Sequence, residues 1–293
     1  MSTDTGHAQI PPPIARGVSA LRAAVAEWRK AGLSVALVPT MGFLHHAHIK
    51  LIETAHAHAA RTVVSLFVNP TQFGPREDFQ SYPRDEAGDL AKLAHAGVEL
   101  AYAPTVEEIY SAGFATTVSV KSVTEGLCGS FRPGHFDAVA TVVAKLFLQC
   151  QPDVAVFGEK DYQQLLTVRR MVADLDMPIR IVAVPTQRDP DGMAASSRNA
   201  RLSTDERARA RTIFRVLSDL AARLGRGQAV ADALDHGLAA LRAGGIDRID
   251  YLELRDAESL APVAKLERPA RLLTAVHVGA TRLIDNVAVT PAG

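Results

Sequence analysis

Two histidines three residues apart, His45 and His48, are the side chains in this sequence best placed to do chemistry. They follow the segment 39–44, Pro-Thr-Met-Gly-Phe-Leu, where a helical pattern begins. Residues at this spacing share one face of a helix, and the N–H groups that open a helix attract anions such as phosphate. An imidazole there can donate to phosphate oxygens and respond to the charge of a leaving group. We therefore hypothesise a nucleotide phosphate site.

Two other interpretations of the histidine pair stay open. Both side chains can simply lie on the surface at the start of a helix. A zinc site is the weaker alternative, because the pair lacks further ligands at a spacing that completes tetrahedral coordination. The position favours phosphate, since the preceding turn lies at the carboxyl end of the first predicted strand, where open α/β sheets bind ligands.

Strand and helix patterns alternate along the first two thirds of the chain and must position this pair. The predicted strands cover 33–38, 62–68, 98–102, 154–157 and 179–184. The predicted helices cover 18–30, 46–60, 85–96, 137–149 and 161–175. This alternation predicts an α/β fold with a Rossmann-like, doubly wound parallel sheet that helices cover on both faces.

The pattern changes after Pro185, where a polar loop covers 187–203. Two long helical patterns and then three strand patterns follow, at 204–224, 228–243, 250–255, 271–278 and 282–289. These elements predict a smaller α+β domain. The predicted organisation is a flexible tail at 1–16, a Rossmann-like domain at 17–186 and an α+β lid domain at 187–293.

Composition and charge exclude several classes of protein. The chain is 47% hydrophobic, and its 32 basic residues balance 32 acidic ones, so no net field recruits nucleic acid or an anionic membrane. No apolar run reaches the roughly 20 residues of a membrane span. Only Cys128 and Cys150 occur, and the N-terminus lacks a basic and apolar leader. We therefore expect a cytoplasmic protein with small-molecule ligands.

Two amide side chains, Asn69 and Gln72, follow the second predicted strand within the segment 67–73. Amides donate and accept hydrogen bonds, which suits a substrate with hydroxyl and carboxylate groups. The alternative is an Asn-Pro turn in which Asn69 satisfies the local backbone.

A third cluster, Gly158-Glu159-Lys160-Asp161, lies at another strand-to-helix junction. Gly158 permits close approach of the backbone, Lys160 can bind phosphates, and Asp161 can accept from ribose hydroxyls. Gln164 lies one turn into the helix, near enough to contact a second substrate. The alternative makes Asp161 a helix N-cap and Lys160 a solvated charge.

The polar loop contains Ser196, Ser197 and Arg198, two hydroxyls followed by a guanidinium. They are a candidate mobile phosphate clamp, although an ordinary loop has the same composition.

Within the segment 131–137, Arg132 can bind a carboxylate, whereas His135 can react or cap the next helix. No G-x-x-x-x-G-K-[ST] and no strand-borne G-x-G-x-x-G occurs, which disfavours GTPase-type and dinucleotide-type sites.

Five motifs occur in the order and spacing of one enzyme family: PTMGFLHHAH, FVNPTQF, RPGHFDAVATVV, FGEKDYQQL and DGMAASSRN. On these motifs the chain resembles the pantothenate synthetase family over about residues 17–290. That family is similar to class I aminoacyl-tRNA synthetases and small nucleotidylyltransferases, which share its HIGH-like signature. The resemblance implies ATP-dependent condensation of pantoate with β-alanine through an enzyme-bound pantoyl adenylate, with release of pyrophosphate and AMP.

The resemblance also implies roles for individual residues. His48 matches the position called the proton donor, His45 is its phosphate partner, and Lys160 contacts phosphates. The residues that match ATP-binding positions are Met41, Gly42, Phe43, Leu44, His45, His46, Ala47, His48, Gly158, Glu159, Lys160, Asp161, Gln187, Ala195, Ser196, Ser197 and Arg198. Gln72 and Gln164 match pantoate-binding positions, and Asn69 and Arg132 are further candidates for pantoate from the sequence patterns described above. Gln72 also borders the β-alanine position, Mg²⁺ accompanies ATP without an assigned protein ligand, and a homodimer is expected.

Three positions differ from the residues usual in the family: Ala47 in place of Gly, His46 in place of an acidic residue, and Ala195 in place of Met. A methyl group at position 47 would crowd a nucleotide that approaches the backbone closely. One alternative is therefore a low-activity or non-catalytic ATP-binding homologue. Another is a nucleotidylyltransferase of the same superfamily, which would keep the nucleotide on its product.

Overall fold

Six strands form one parallel sheet in the computed structural model, which describes residues 10–75 and 77–291. The strands are β1 (Ile14–Ala15), β2 (Val35–Thr40), β3 (Arg61–Leu66), β4 (Leu100–Tyr102), β5 (Val154–Gly158) and β6 (Arg180–Val184). Their order across the sheet is β1-β4-β3-β2-β5-β6. The chain builds outwards from β2 in one direction and from β5 in the other, which confirms the predicted doubly wound arrangement.

Ten α-helices accompany the strands in the described part of the chain. They are α1 (Val18–Lys30), α2 (His46–His58), α3 (Glu86–His95), α4 (Val106–Ile109), α5 (Leu127–Phe131), α6 (His135–Cys150), α7 (Tyr162–Asp174), α8 (Thr204–Ala210), α9 (Thr212–Gly225) and α10 (Val230–Ala243). Three 3-10 helices cover Pro70–Gln72, Glu159–Asp161 and Ser197–Arg201. The first helix has its predicted limits, and α2 begins at His46 as predicted.

Short elements account for most differences from the predicted pattern. The helical pattern at 204–224 forms two helices, α8 and α9, which meet at Arg211. Helices α4 and α5 are absent from the prediction because four or five residues are too few to show a period of 3.6. The ends of the other predicted elements shift by no more than two residues.

The sequence pattern predicts that regular structure begins at Gly17, but the first strand lies before that residue. Residues 1–9 of the predicted tail lie outside the described residues, but β1 lies inside the tail and pairs in parallel with β4, with Ala15 opposite Tyr102. A two-residue edge strand that follows three prolines leaves no periodic signal in the sequence.

The chain divides into two units that interleave along the sequence. The first contains the residues up to Thr117, Thr141–Phe157 and Met177–Val184, and the second contains Val118–Ala140, Gly158–Asp176 and the residues from Pro185. The domain limits at 17–186 and 187–293 remain a prediction. Among the residues that the structure describes, no helix is both long enough and apolar enough to cross a bilayer.

Strand β2 runs through the core of the first unit. Its residues 35–38 are completely buried, which explains why the strand is a continuous apolar run and not an alternating pattern. Val38 and Val64 share this core with Ile52 of α2 and Leu93 of α3. The carboxyl ends of β2 and β3 are therefore fixed by packing from both helices.

Three antiparallel strands form the sheet of the second unit: β7 (Arg248–Asp256), β8 (Ala270–Val278) and β9 (Thr281–Val289). Strand β8 lies in the middle of this sheet. Leu217 and Leu220 of α9 and Leu241 of α10 are completely buried in the core that these helices share with the sheet. The predicted small α+β architecture is therefore confirmed.

Gly237 of α10 occupies a tightly packed position in this core. A methyl group added there would lie 2.4 Å from Leu220 Cδ1 and 2.8 Å from Leu252 Cδ2. We expect Gly237→Ala to lower the free energy of unfolding by about 1 kcal/mol, because overpacking of about 1–3 kcal/mol exceeds a gain in helix propensity of about 1 kcal/mol.

Urea denaturation measures this loss. The matched change Asp235→Ala, at an exposed site of the same helix, is expected to alter stability by less than about 0.5 kcal/mol. Equal or higher stability of Gly237→Ala relative to the unchanged protein would contradict the packing argument.

Candidate active site

The turn between β2 and α2 carries the predicted histidine pair. Thr40, the last residue of β2, donates its hydroxyl to Ser65 O at 2.6 Å and accepts the Gly42 N–H at 3.1 Å. Gly42 and Phe43 have φ angles of 76° and 50°, so two successive residues are left-handed. Glycine adopts this region freely, whereas a residue with a side chain is strained there. The turn therefore needs support from elsewhere in the chain.

Asp89 of α3 supplies this support. Its carboxylate accepts the N–H groups of Phe43 and Leu44 at 2.7 and 2.6 Å. The side chain is 2% exposed, and Lys92 Nζ lies 3.9 Å away. Burial raises the pKa of Asp89 and outweighs the opposite effect of the two N–H groups and Lys92. A β-carbon at position 42 would lie 2.9 Å from the carboxylate, so this contact also requires Gly42.

His45 and His48 lie together at the start of α2. The Nδ1 atom of His48 accepts the backbone N–H of His45 at 3.1 Å. Because a backbone N–H can only donate, Nδ1 carries no proton, and a neutral His48 ring has its proton on Nε2. The centroids of the two rings are 4.1 Å apart. The geometry of the helix start therefore defines Nε2 as the donor of His48.

His46 and Ala47 occupy the first turn of α2. His46 is exposed, and its ring centroid lies 5.9 Å from that of His45. Ala47 is half-buried. Alanine is better than glycine inside a helix by about 0.8–1.0 kcal/mol, so Ala47 stabilises the turn that carries the histidines.

The loop after β3 lies beside the loop after β2, because the two strands are parallel neighbours with Thr40 opposite Leu66. In this loop Asn69 Nδ2 donates to Gln72 Oε1 at 3.2 Å. Gln72 Nε2 lies 3.0 Å from the Sδ atom of Met41. The structure therefore brings together three residues that were predicted from two separate motifs.

Asn69 also satisfies the local backbone, as the alternative interpretation has it. Its Oδ1 accepts the N–H of Thr71 at 3.3 Å and the hydroxyl of Thr71 at 2.9 Å. The Tyr110 hydroxyl donates to the same oxygen at 2.9 Å. Since Asn69 is only 1% exposed, these contacts fix its amide group, which in turn orients Gln72.

Sequence reasoning missed Asp89 and Tyr110. Asp89 shares one face of α3 with the buried Leu93, and an acidic residue on the apolar face of a helix is the signal that identifies it. Tyr110 follows α4, beyond the end of a third strand of the same sheet. Burial raises the pKa of Tyr110 in spite of hydrogen bonds to Thr71 and Asn69, so its hydroxyl remains a neutral donor.

In the second unit, the 3-10 helix Glu159–Asp161 leads directly into α7. Lys160 Nζ lies 3.7 Å from Asp161 Oδ2, and its side chain is 20% exposed. Asp161 stands at the N-cap position of α7, but its carboxylate makes no capping hydrogen bond. Its described partner is therefore Lys160, which leaves both charges on one short turn.

Two successive glutamines in the first turn of α7 have different surroundings. Gln163 is 5% exposed, accepts the Cys128 N–H at 3.1 Å and donates to Val123 O at 3.0 Å. Gln164, the predicted pantoate-binding residue, is half-buried. Gln163 therefore holds the chain around Cys128, and Gln164 is the more accessible of the two.

The predicted phosphate loop is a hairpin. The Ala195 N–H donates to Gln187 O at 2.9 Å, which closes the hairpin between two of the predicted residues. Ser196 then caps the 3-10 helix Ser197–Arg201, where its Oγ accepts the Arg198 N–H at 3.3 Å. The predicted ATP residues of this region therefore share one hydrogen-bonded segment.

Acidic side chains tie this hairpin to α8. Arg207 donates to Asp189 at 2.7 Å through Nη2 and to Asp191 at 2.8 Å through Nε. The pKa of Asp191 is lowered overall. Burial alone would raise this pKa, but the hydrogen bonds from Arg207 and the Met193 N–H have the larger, opposite effect. The turn of the hairpin is thus held by charge-assisted hydrogen bonds.

Arg132 and His135 contact each other, with Arg132 Nη1 2.8 Å from His135 Nε2. A guanidinium group can only donate, so Nε2 of His135 accepts, and a neutral ring has its proton on Nδ1. His135 is the first residue of α6. The predicted carboxylate-binding Arg132 is thus oriented by the helix start next to it.

The predicted site residues form two groups, one in each unit. Positions 41–48, 69 and 72 lie in the first unit, and positions 132, 158–161, 164, 187 and 195–198 lie in the second. The first group offers imidazole and amide donors, and the second offers cationic and hydroxyl groups suited to phosphates. Within residues 10–75 and 77–291, no cluster of three or more His, Cys, Asp or Glu residues is placed to hold a metal ion.

Sequence comparison identifies close relatives over almost the whole chain. The model of the family described as pantoate-beta-alanine ligase matches residues 13–288. Pantothenate synthetase of Paramagnetospirillum magneticum is 56% identical over 278 residues, which are 95% of this chain and 98% of that protein. Pantothenate synthetase of Rhizorhabdus wittichii is also 56% identical, over 95% of this chain and 99% of that protein.

Solved structures have the same fold. The crystal structure of pantothenate synthetase from Thermus thermophilus has a TM-score of 0.91 at 48% identity and covers 95% of this chain and 100% of that one. Pantoate-beta-alanine ligase from Francisella tularensis, described as complexed with beta-gamma ATP and beta-alanine, has a TM-score of 0.81 at 32% identity. That match covers 94% of this chain and 97% of the other.

The amides of Phe43 and Leu44 report on the contact with Asp89. We expect Asp89→Asn to speed hydrogen exchange at these amides roughly tenfold, the equivalent of about 1.4 kcal/mol, because asparagine offers one acceptor oxygen and turns an NH₂ group towards the second N–H. Exchange measured by NMR or mass spectrometry tests this.

Asp85→Asn is the matched control for this exchange experiment. Asp85 caps the same helix by accepting the Gly88 N–H, and asparagine caps about as well as aspartate. The control is expected to leave exchange at Phe43 and Leu44 unchanged. Equal exchange rates in Asp89→Asn and the unchanged protein would show that the carboxylate does not hold the turn.

Proposed function

Because this chain belongs to the pantoate–β-alanine ligase family, we propose that it uses ATP to condense pantoate with β-alanine and releases AMP and pyrophosphate. The match to the family model over residues 13–288 carries the proposal. Support comes from pantothenate synthetases at 56% identity and from the related ligase that was solved with an ATP compound and β-alanine.

The proposed reaction has two steps. A carboxylate oxygen of pantoate attacks the α-phosphorus of ATP, and the bond to pyrophosphate breaks. The amine nitrogen of β-alanine then attacks the acyl carbon and loses a proton, and AMP leaves with the oxygen that came from pantoate. The first step is needed because a carboxylate repels a nucleophile and has no good leaving group. An intermediate held beside β-alanine makes the second step effectively intramolecular and keeps water away.

We assign the work on the phosphates to His48, His45 and Lys160. His48 is a proton donor from Nε2, because Nδ1 already accepts the His45 N–H at 3.1 Å. Such a donor stabilises the negative charge that develops on the phosphate oxygens as pyrophosphate leaves. Lys160 adds a positive charge, and the His45 ring is the partner of His48 in phosphate binding.

The remaining ATP contacts are also proposals. Asp161 accepts from the ribose hydroxyls, and Ser196, Ser197 and Arg198 bind phosphate oxygens. Gln187 contacts the adenine through its backbone. The other backbone positions that would face the nucleotide are Met41, Gly42, Phe43, Leu44, His46, Ala47, Gly158, Glu159 and Ala195.

For pantoate we propose contacts from Gln72 and Gln164, with Gln72 also next to β-alanine. Asn69 orients the side chain of Gln72, because its Nδ2 donates to Gln72 Oε1 at 3.2 Å. The Oδ1 atom of Asn69 accepts from the hydroxyls of Thr71 and Tyr110. Arg132 is the proposed guanidinium contact for a carboxylate.

We also propose that Mg²⁺ enters with ATP, bound to phosphate oxygens of the nucleotide. The described residues offer no metal-binding cluster, so no protein ligand is assigned and no step depends on one. A homodimer and a cytoplasmic location complete the proposal. The cytoplasmic location is consistent with two cysteines, Cys128 and Cys150, that are both buried as free thiols.

The test of this function is an assay with ATP, pantoate and β-alanine in which each compound is omitted in turn. We expect pantothenate, AMP and pyrophosphate only when all three are present. A product that retains the nucleotide would identify a nucleotidylyltransferase instead. ATP binding without pantoate-dependent pyrophosphate release would identify the non-catalytic homologue that Ala47 and Ala195 suggest.

We expect His48→Ala to fold normally and to lose pantoyl adenylate formation by roughly 10²–10³-fold, the usual cost of removing one donor to a developing charge. Pyrophosphate release in a single turnover measures this step. His56→Ala, an exposed histidine near the other end of α2, is the control and should retain the full rate. Unchanged pyrophosphate release in His48→Ala would exclude the proposed role.

We expect Gln72→Ala to weaken pantoate binding by about 1–2 kcal/mol, roughly 5–30-fold, and ATP binding much less, because its amide is assigned to pantoate. Calorimetric titration with each ligand separately measures both effects. Gln228→Ala is the control, because Gln228 lies two residues before α10 and is not among the predicted site residues. This variant should bind both ligands normally. An equal loss for ATP and pantoate would contradict the assignment.

A further inference from the structure

Asn286 of β9 holds the backbone of the turn that carries Lys160. Its Nδ2 donates to Glu159 O at 3.0 Å and to Lys160 O at 2.9 Å. Asn286 is 3% exposed, so water does not compete for these bonds. An amide nitrogen has two hydrogens, and both are directed to consecutive carbonyl groups. This arrangement fixes the orientation of two successive peptide groups and therefore the point from which the Lys160 side chain starts.

A second contact from the same sheet fixes the side chain next to Lys160. Arg271 of β8 donates to Glu159 Oε2 at 3.0 Å. Its guanidinium lies 3.9 Å from the centroid of the Tyr162 ring and is thus held by stacking as well. Arg271 therefore contacts the residue before Lys160 and the residue after Asp161.

Asp285, the residue before Asn286, holds the predicted phosphate hairpin. It accepts Arg188 Nη1 at 2.7 Å and Nη2 at 3.0 Å, a bidentate pair in which the aspartate is 4% exposed. Arg188 also donates to Gly192 O at 3.1 Å and lies 3.6 Å from the centroid of the Phe214 ring. Arg188 directly follows Gln187 and bridges Ala194 across the hairpin.

We infer that Asn286 is a positioning residue for ATP, because it sets the place of Lys160. Asp285, the residue before it, holds through Arg188 the hairpin that leads to Ser196, Ser197 and Arg198. Neighbouring residues of a strand project to opposite faces, which allows one strand to hold two segments. Neither residue contacts ATP in this scheme. The inference rests on the proposed function and adds to it the residues that arrange the phosphate contacts.

The test begins with the complete chain and the variant Asn286→Leu, which keeps the size of the side chain and removes both donors. We expect roughly a tenfold rise in the KM for ATP and a slower formation of pantoyl adenylate, with the Kd for pantoate unchanged. Asn286→Gln keeps an amide donor on a longer stem and is expected to recover part of the loss. An unchanged KM and rate in Asn286→Leu would overturn the inference.

A double-mutant comparison with Lys160→Ala separates positioning from a general loss of structure. If Asn286 acts through Lys160, adding Asn286→Leu to Lys160→Ala should change the KM for ATP less than about twofold. The full tenfold effect in the Lys160→Ala background would show that Asn286 acts independently of Lys160 and would overturn the inference.

Thr274→Val is the matched control for stability. Thr274 is a buried residue of the same sheet, and its hydroxyl donates to Tyr251 O at 2.8 Å. It should lose stability to a similar degree and keep the KM for ATP. A raised KM in Thr274→Val equal to that in Asn286→Leu would overturn the specific role of Asn286.

An unfolded Asn286→Leu variant and an inactive unchanged protein each have a defined consequence. If Asn286→Leu is unfolded at the assay temperature, Asn286→Ser replaces it, with an expected rise of at least threefold in the KM for ATP, and no rise overturns the inference. If the unchanged protein forms no pantothenate and no AMP, the proposed function fails and the inference falls with it. Activity in the unchanged protein together with normal kinetics in the variants refutes the inference alone.

Discussion

The bond between the Asp89 carboxylate and the N–H groups of Phe43 and Leu44 is the interaction on which the rest of the first unit's site depends. A left-handed residue with a side chain costs roughly 1–2 kcal/mol, and the turn contains one directly after Gly42. Two short, charge-assisted hydrogen bonds offset this cost. They also hold the turn that precedes α2. The start of α2 places His45 beside His48, and the bond from the His45 N–H to Nδ1 leaves Nε2 as the donor atom of His48.

The second unit uses the same principle with other groups. Its chemically useful side chains stand on a 3-10 turn and a hairpin, which are weak structures by themselves. Buried polar side chains on strand β9 hold both: Asn286 contacts the turn, and Asp285 holds the hairpin through Arg188. In each unit a regular element thus supplies a buried polar anchor, and a short turn presents the group assigned to the substrate.

The sequence predicts the fold well, because the buried run at 35–38 and the alternation of strands with amphipathic helices determine a doubly wound sheet. The start of α2 and the clustering of polar residues at strand ends are also predicted from local patterns. The buried polar anchors Asp89 and Asn286 are not predicted from local patterns. Asp89 lies 46 positions beyond Phe43, and Asn286 lies 126 positions beyond Lys160, so no local pattern links either anchor to its turn. Strand β1 and helices α4 and α5 are missed because they are too short for any period to show.

The fate of one oxygen atom tests the central claim, that pantoate is activated as an acyl adenylate. The protein is supplied with ATP, β-alanine and pantoate whose carboxylate carries ¹⁸O, and the AMP is examined by mass spectrometry. Attack of the carboxylate on the α-phosphorus leaves one labelled oxygen in the phosphoryl group of AMP, and the proposed route predicts this result. AMP without label, or label found instead in inorganic phosphate together with ADP, would contradict it.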